Sequence, residues 1–209
     1  MRIRHLPDNL INQIAAGEVI ERPAAVIKEL TENAIDAGAT KIKIDIRNGG
    51  KSLIKISDNG SGMTKDELEA AVHRHATSKL PDDDLMNIHT LGFRGEALPS
   101  IGAISRMTIQ SRYKDSDEAW SLTIEGGKKQ DIAPAAMTQG TDIEVRDLFY
   151  ATPARLKFLK SDRAEYMAIR DIIQRLGIAY PDIALTLTDS GKAKIKLPHQ
   201  SGDLWDQYK

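Results

Sequence analysis

A regular alternation of isoleucines with polar residues across residues 41–58 does most to limit how this chain folds. The alternating positions in KIKIDIR and SLIKISD are Ile42, Ile44, Ile46, Ile54 and Ile56. Successive side chains of a strand point to opposite faces, so this period predicts two strands that bury the same face. The intervening NGGK contains turn residues, and we therefore predict a β-hairpin.

The rest of the chain separates into helical and extended segments. Predicted helices are a short one in PDNLINQIAAG ending at Gly17, then Pro23–Ala37, a helix opened by the Thr64–Glu67 capping box and reaching Arg74, residues 94–103, and residues 162–176. Further predicted strands are RMTIQSRY, AWSLTIE, KQDIAP, TDIEVRD, IALTLTD and KAKIKLP. This segregation favours an α+β two-layer sandwich, a mixed β-sheet with helices packed on one face.

Composition limits the function classes. With 209 residues, 41% hydrophobic and 28% charged, the chain is long enough for one large globular domain. A net charge of −1 gives no global signature of nucleic-acid binding, although a local basic patch is compatible with it. The absence of cysteine excludes disulfides and thiolate zinc sites, and the five histidines form no HExxH. Without a membrane-length apolar run or a signal peptide, we expect a cytoplasmic protein and no membrane partner.

The helix containing ELTENAIDAGAT carries an unexpected polar stripe. At roughly 100° per residue, Glu29, Asn33 and Asp36 fall within about 60° of one another, beside the apolar stripe. Lys28 and Glu32 point elsewhere and supply a solvated face. The trio is either an extension of that solvated face or the wall of a pocket.

DNGSGM, residues 58–63, lies between an apolar strand and a helix. A carboxylate at the strand end, Asp58, can accept from an exocyclic amine such as N6 of adenine. Gly60 and Gly62 allow backbone to approach a flat ligand closely. The alternative interpretation is an Asx-type turn formed by Asp58.

Residues 75–93 have no sustained period and read as a long loop of the length typical of a lid. Its HATSK stretch offers the hydroxyls of Thr77 and Ser78 and the charge of Lys79 to phosphate oxygens. LGFRGEAL, residues 91–98, is glycine-rich and runs into a helix, whose N–H groups are suited to phosphates. Solvated or purely structural loops are the alternatives. GGKS at residues 49–52 lacks the P-loop pattern and is assigned to the hairpin turn.

Taken in order, ELTENAIDAGAT, DNGSGM, HATSK, LGFRGEALPSI and QGT resemble the ATPase motifs of the GHKL superfamily. RDLFYATPARLKFL narrows the resemblance to the MutL family of mismatch-repair proteins, over about residues 1–190. Ala151 departs from the pattern, since the family usually has Asn there. The resemblance implies the GHKL (Bergerat) ATPase fold, with a nucleotide lid at about residues 75–98. Residues 191–209 are then a terminal strand and a truncated linker toward a missing second domain.

The resemblance also implies roles for individual residues. Glu29 is the general base for the attacking water, and Asn33 ligates Mg²⁺, an ion that needs only one or two protein ligands beside phosphate oxygens. Asp36 supports the base of the pocket, while Asp58 and the Thr141 hydroxyl select adenine. The remaining nucleotide contacts are assigned to Gly60, Gly62, Met63, Thr77, Ser78, Lys79, Gly92, Phe93, Arg94, Gly95, Glu96, Ala97 and Leu98.

At the level of the whole protein, the resemblance implies an ATP-dependent homodimer that links a mismatch-recognition protein to a repair nuclease or helicase. A lysine from the following domain and an ordered N-terminal arm complete the family's active site, so we expect residues 1–209 to be mostly monomeric and slow in turnover. Weak DNA phosphate contacts are assigned to Arg155, Lys157, Lys160 and Arg163, for which a solvated basic loop is the alternative. Two other interpretations stay open, a non-hydrolysing ATP-binding scaffold and another GHKL ATPase of topoisomerase or chaperone type.

Overall fold

The fold is described by a computed structural model that covers residues 5–74, 76, 90–92 and 95–200. Its helices are α1 (Asp8–Val19), α2 (Pro23–Asp36), α3 (Lys65–Ala70), α4 (Ala97–Ile104), α5 (Pro153–Leu156) and α6 (Asp162–Ala179). Its strands are β1 (Lys41–Arg47), β2 (Leu53–Asp58), β3 (Arg106–Arg112), β4 (Ala119–Glu125), β5 (Lys128–Lys129), β6 (Ala133–Ala135), β7 (Gly140–Arg146), β8 (Ala184–Asp189) and β9 (Lys192–Leu197). A 3-10 turn, Asn48–Gly50, joins β1 to β2 and confirms the predicted hairpin.

The strands form one mixed sheet in the order β5-β4-β3-β7-β2-β1-β8-β9, with β6 beside β4. β1 pairs in parallel with β8, whereas β2 pairs antiparallel with both β1 and β7. Helices α2, α4 and α6 pack against the sheet. The predicted α+β sandwich with a mixed sheet is therefore confirmed. β9 pairs with β8 as an edge strand of this sheet, and residues 201–209 of the predicted linker lie outside the described residues.

The helix-facing side of the sheet is the side that the isoleucine alternation predicts. Ile44 lies opposite Ile56, which lies opposite Ile143, and all three are buried. Burial of such a side chain contributes roughly 1.5–3 kcal/mol, which explains why register is tightly specified here. The other side is polar and includes an ion pair of 3.2 Å between Lys55 Nζ and Asp142 Oδ2. One buried and one solvated face are typical of antiparallel sheets.

Several predicted helix boundaries are wrong. α1 continues past Gly17 to Val19, so Gly17 does not end the helix; it is buried, and the Arg155 guanidinium packs where its side chain would be. α3 has the predicted capping box but ends at Ala70 rather than Arg74. α4 begins at Ala97, and α6 extends to Ala179. Hydrophobic periodicity locates a helix better than it locates the helix ends.

Two segments after β3 also differ from the prediction. KQDIAP is not one strand: β5 pairs with the end of β4 and β6 with its beginning. The short helix α5 was not predicted, because a four-residue helix is too short to show a period. Next to Ala151, the Arg106 guanidinium lies 4.1 Å from the centre of the Tyr150 ring.

A buried carboxylate fixes the start of α2 relative to α6. Glu165 Oε2 accepts hydrogen bonds from Arg22 Nε at 3.0 Å and Arg22 Nη2 at 2.9 Å. Glu165 Oε1 accepts from the Lys160 backbone N–H at 2.9 Å, so both carboxylate oxygens are bonded. Arg22 is the residue that precedes α2, so this ion pair sets where α2 and its polar stripe begin.

Candidate functional site

The polar stripe of α2 lies at the edge of the core. Glu29, Asn33 and Asp36 are half-buried, whereas Leu30 and Ala34 beside them are buried. The carbonyl oxygen of Ala37, the residue that follows α2, accepts a hydrogen bond of 2.9 Å from the Ser61 N–H. The stripe therefore runs toward the DNGSGM segment rather than into open solvent.

Lys28 links two acidic residues of α2. Its Nζ lies 3.4 Å from Glu29 Oε1 and 2.8 Å from Glu32 Oε2. Partial burial lowers the pKa of Lys28, but the hydrogen bond with Glu32 and the charges of both carboxylates outweigh it, so the pKa is raised. The Glu32 side chain is only 14% exposed, so the prediction that it belongs to a solvated face is wrong. A charged lysine thus sits beside the predicted general base.

Polar side chains replace apolar ones along one row of the helix-facing sheet surface. In the register of β2, β7 and β3, Asp58 lies opposite Thr141 and Thr141 lies opposite Ser111. Residues directly opposite one another share a face, and the neighbouring row on this face is Ile56, Ile143 and Ile109. We call Asp58, Thr141 and Ser111 the polar row.

The Asp58 carboxyl group is held by backbone donors. Its Oδ1 accepts from the Gly60 N–H at 2.8 Å, and the Thr141 N–H is a second backbone donor. Burial raises the pKa of Asp58 to about 6, an effect that these two donors oppose and that the charge of Asp142 reinforces. At neutral pH the group is mostly a carboxylate, which is suited to accept from an amine.

Ser111 was not among the predicted site residues, yet its hydroxyl connects three segments. Ser111 is fully buried, and its Oγ lies 2.9 Å from Thr141 Oγ1 and 3.1 Å from the Gly140 carbonyl oxygen. The Met63 N–H donates to the same Oγ at 2.8 Å. The available signal was in RMTIQSR, where Met107 and Ile109 face inward and the next inward position is serine.

The glycines of DNGSGM are surrounded by backbone. A Cβ atom at Gly60 would lie 2.8 Å from the Ala37 carbonyl oxygen. Gly62 has φ of +68°, and a Cβ there would collide with the Arg112 carbonyl group. Only glycine tolerates this combination of left-handed backbone and close approach. The packing of this loop thus requires both glycines, and their contact with a ligand stays a prediction.

Asp36, the last residue of α2, holds the beginning of the glycine-rich segment. Its Oδ1 accepts from the Leu91 N–H at 3.1 Å and its Oδ2 from the Gly92 N–H at 3.3 Å. The Gly92 N–H, which we predicted to contact phosphate, is thus bonded to Asp36 in this structure. Gly95, with φ of +63°, packs closely on the Ala76 carbonyl group.

Arg74, which was not predicted, joins α1 to the end of this segment. Its Nη2 donates to the Asn12 carbonyl oxygen at 3.3 Å, and its Nε lies 3.8 Å from Glu96 Oε2. Glu96 immediately precedes α4, whose first residues are the predicted contacts Ala97 and Leu98. The predicted contacts Thr77, Ser78, Lys79, Phe93 and Arg94 lie outside the described residues.

Within residues 5–74, 76, 90–92 and 95–200, no group of three or more His, Cys, Asp or Glu side chains is arranged to hold a metal ion. The donors on the α2 stripe are two carboxylates and the Asn33 amide, which are oxygen ligands of the kind Mg²⁺ takes when phosphate oxygens complete its shell. The residues present therefore fit a nucleotide-bound Mg²⁺. None of the helices in these ranges is long and apolar enough to cross a membrane.

Comparison with known proteins agrees with this geometry. The chain matches the family "Histidine kinase-, DNA gyrase B-, and HSP90-like ATPase" over residues 21–148. The DNA mismatch repair protein MutL of Paramagnetospirillum magneticum is 61% identical over 203 residues, 97% of this chain and 33% of that protein. MutL of Azorhizobium caulinodans is 63% identical over 187 residues, 90% of this chain and 30% of that protein.

A solved structure gives the same result. The Aquifex aeolicus MutL ATPase domain complexed with ADP superposes with a TM-score of 0.74 at 33% identity, covering 88% of this chain and 66% of that one. The chain therefore belongs to the family of histidine kinase-, DNA gyrase B- and HSP90-like ATPases, the GHKL ATPases. Within that family, its sequence and fold match the N-terminal ATPase domain of MutL, and the predicted resemblance is confirmed. The chain spans about a third of the length of these MutL relatives.

Proposed function

We propose that this domain binds ATP between α2 and the polar row and hydrolyses it with Mg²⁺. The observation that carries the proposal is the polar row itself, a carboxylate and two hydroxyls on the otherwise apolar helix-facing side of the sheet. Its proximity to the end of α2, through the Ser61 contact with Ala37, supports a single pocket. The presence of ADP in the Aquifex aeolicus relative supports nucleotide as the ligand.

In this proposal the α2 stripe faces the phosphates. Glu29 orients and deprotonates the attacking water, a role suited to a half-buried carboxylate. Asn33 would hold the Mg²⁺, which when bound would neutralise charge on the triphosphate. Asp36 supports this side through its bonds to Leu91 and Gly92. The first residues of α4 provide backbone N–H groups to the phosphates.

Base selection follows from Asp58 and Thr141. The Asp58 carboxylate accepts from the exocyclic amine of adenine, and the Thr141 hydroxyl assists. Guanine presents a carbonyl oxygen at the same position, so two acceptors would face each other. An unpaired buried polar group of this kind costs roughly 1–3 kcal/mol.

Calorimetric titration of the chain with Mg·ATP tests the proposal. Asp58→Asn keeps the size of the side chain but replaces the accepting carboxylate, and we expect ATP affinity to fall about 10- to 100-fold. Glu144→Gln is the matched control, because Glu144 lies on β7 with Thr141 but bonds to Arg146 at 2.6 Å on the solvated face. Equal affinities for all three proteins would place the base elsewhere.

The same titration with and without Mg²⁺ tests the metal ligand. Asn33→Ala should remove most of the gain in affinity that Mg²⁺ gives the wild type, because the amide oxygen that holds the ion is gone. In the presence of EDTA the two proteins should bind ATP alike. An undiminished Mg²⁺ effect in Asn33→Ala would reject Asn33 as the ligand.

For the whole protein we propose the role of a nucleotide-switched matchmaker in DNA mismatch repair. Binding of ATP drives homodimerisation, and the dimer connects a mismatch-recognition protein to a repair nuclease or helicase. Identity above 60% to proteins named DNA mismatch repair protein MutL supports this role. Since such a protein works where the DNA is, we place it in the cytoplasm.

DNA contacts are proposed for the segment around α5. Lys157 and Arg163 are exposed and available to phosphates, and Phe158 between them is 84% exposed. Arg155 packs against Gly17, so its part in DNA binding is coupled to α1. Lys160 is exposed while its backbone N–H bonds to Glu165, which fixes where its side chain begins. Phosphate contacts of this type are weak and dependent on salt.

A further inference from the structure

The Ser111 hydroxyl uses its full hydrogen-bonding capacity at the polar row. A serine hydroxyl has one proton and can accept two hydrogen bonds. Around Ser111 Oγ there are three polar atoms within bonding distance: the Met63 N–H at 2.8 Å, Thr141 Oγ1 at 2.9 Å and the Gly140 carbonyl oxygen at 3.1 Å. The number of partners therefore equals the capacity of the group.

The direction of each bond follows from the chemistry of the partners. The Met63 N–H can only donate, and the Gly140 carbonyl can only accept, so the Ser111 proton goes to Gly140. The contact with Thr141 is then a hydrogen bond only if Thr141 is the donor. The reverse direction would leave the oxygens of Ser111 and Gly140 facing each other at 3.1 Å in a buried site without a proton between them.

This arrangement decides what Thr141 can offer a ligand. Its single proton is directed into the protein, so only its lone pairs remain for the base. We propose that Ser111 is a specificity-determining positioning residue, which fixes Thr141 as a hydrogen-bond acceptor and so favours bases that present an exocyclic amine over bases that present a carbonyl. The inference rests on the proposed function, since it concerns the base of the nucleotide that the site binds.

The polar row thus presents acceptors from both Asp58 and Thr141. Without Ser111, the Thr141 hydroxyl can rotate and donate, which would make a guanine carbonyl acceptable. Of the two acceptors, only the Asp58 carboxylate would then disfavour the binding of GTP. The expected signature is a change in base discrimination that exceeds the change in ATP affinity.

Calorimetry with Mg·ATP and Mg·GTP on the chain and on Ser111→Ala tests the inference. We expect the ratio of ATP affinity to GTP affinity to fall about tenfold in Ser111→Ala. Thr108→Val is the matched control, because Thr108 lies on the same strand and bonds at 3.2 Å to Thr123 on the other face of the sheet. The ratio of ATP affinity to GTP affinity in Thr108→Val should equal that of the wild type.

A double-mutant cycle separates the proposed mechanism from a general loss of packing. Thr141→Val removes the hydroxyl that Ser111 orients, so adding Ser111→Ala to it should lower the ratio no further. An unchanged ratio in Ser111→Ala, or additive losses in the double variant, would overturn the inference. If the wild type itself fails to bind ATP, the proposed function fails instead.

Variants of Thr141 decide the question if Ser111→Ala does not fold. Thr141→Ser keeps the hydroxyl and should keep the discrimination, whereas Thr141→Val should lose it. Thermal unfolding and circular dichroism confirm that each variant is folded before its affinities are compared. Full discrimination in Thr141→Val would overturn the inference, because an acceptor at this position would then play no part.

Discussion

The two ends of the proposed nucleotide pocket are built differently. At the base end, Asp58, Thr141 and Ser111 belong to three adjacent strands, β2, β7 and β3, and their side-chain hydrogen bonds measure 2.8–3.1 Å. At the phosphate end, Asp36 and Arg74 reach a loop, α1 and the residue before α4 through contacts of 3.1–3.8 Å. The base end is fixed by sheet register, whereas the described contacts of Asp36 and Arg74 at the phosphate end are longer and involve segments outside the sheet.

This difference implies that the base end recognises the base, whereas the phosphate end responds to the bound phosphates. Groups that are already bonded and buried lose little conformational freedom when a ligand binds, so they can select a base at low entropic cost. Groups held by longer contacts outside the sheet reorganise more readily and are the ones suited to respond to phosphates. Substitutions at the base end should therefore change which nucleotide binds. Substitutions at the phosphate end should change the rate of hydrolysis once the nucleotide is bound.

The largest effect is expected at the phosphate end. Glu29→Gln should leave Mg·ATP affinity nearly unchanged and lower hydrolysis about 10²–10⁴-fold, because it removes the general base but keeps the size of the side chain. The measurements are phosphate release by the full-length protein, of which this chain is the ATPase domain, and calorimetry for affinity. Glu21→Gln, at an exposed position just before α2, is the control.

Hydrolysis at the wild-type rate in Glu29→Gln would reject the assignment of the base. No hydrolysis even in the wild type would favour the scaffold interpretation, in which ATP serves only as a bound ligand. The contact between Lys28 and Glu29 would then hold the carboxylate in a structural ion pair.

A smaller, tenfold effect is expected from pH at the base end. Because the pKa of Asp58 is about 6, protonation below that value removes the acceptor, and ATP affinity at pH 5 should be about tenfold lower than above pH 7. Stability should change in the opposite direction. A pKa raised in the folded state means that this group favours the folded free protein more as pH falls through about 6.

Carboxyl ¹³C NMR gives the titration of Asp58 directly, and calorimetry from pH 5 to pH 8 gives the affinity. Phosphate groups of ATP titrate in the same range, so the profile of Asp58→Asn is subtracted as the baseline. A wild-type profile that coincides with this baseline would remove Asp58 from base recognition.

The smallest effect is expected from Arg74→Gln. Partly exposed ion pairs contribute at most about 1 kcal/mol, so ATP affinity should fall less than about fivefold. The more sensitive readout is hydrogen exchange, which should become faster in α1 because its link to Glu96 is lost. Arg175→Gln, which breaks an ion pair of 3.0 Å with Asp171 on α6, is the control and should leave exchange in α1 unchanged.

The sequence was sufficient where a regular period or a long motif was present. The hairpin of β1 and β2, the α2 stripe and the position of Asp58 at a strand end are all visible from spacing. The bounds of β5 and β6 were not, because two- and three-residue strands carry no period. Burial of Glu32 depends on neighbouring elements, and no pattern within α2 reports it.

Ser111 and Arg74 show why site residues outside the motifs escape sequence reasoning. A serine in a strand and an arginine after a helix are common, and their roles depend on partners distant in the chain. Ser111 meets Thr141 across a sheet register, and Arg74 meets Asn12 across 62 positions of sequence. Such partners become visible only when the fold brings the segments together.

The parallel pairing of β1 with β8 has a consequence for synthesis on the ribosome. Ile42 lies beside Leu185, and the Thr188 hydroxyl donates to Asp45, so β1 finds this neighbour only after more than 140 further residues have been made. Until then the edge of β1 that faces away from β2 is unpaired, and this edge, on a strand with three buried isoleucines, is prone to non-native association. Nascent chains that stop before β8 should therefore aggregate or recruit chaperones, although every residue of the proposed nucleotide pocket has already been translated.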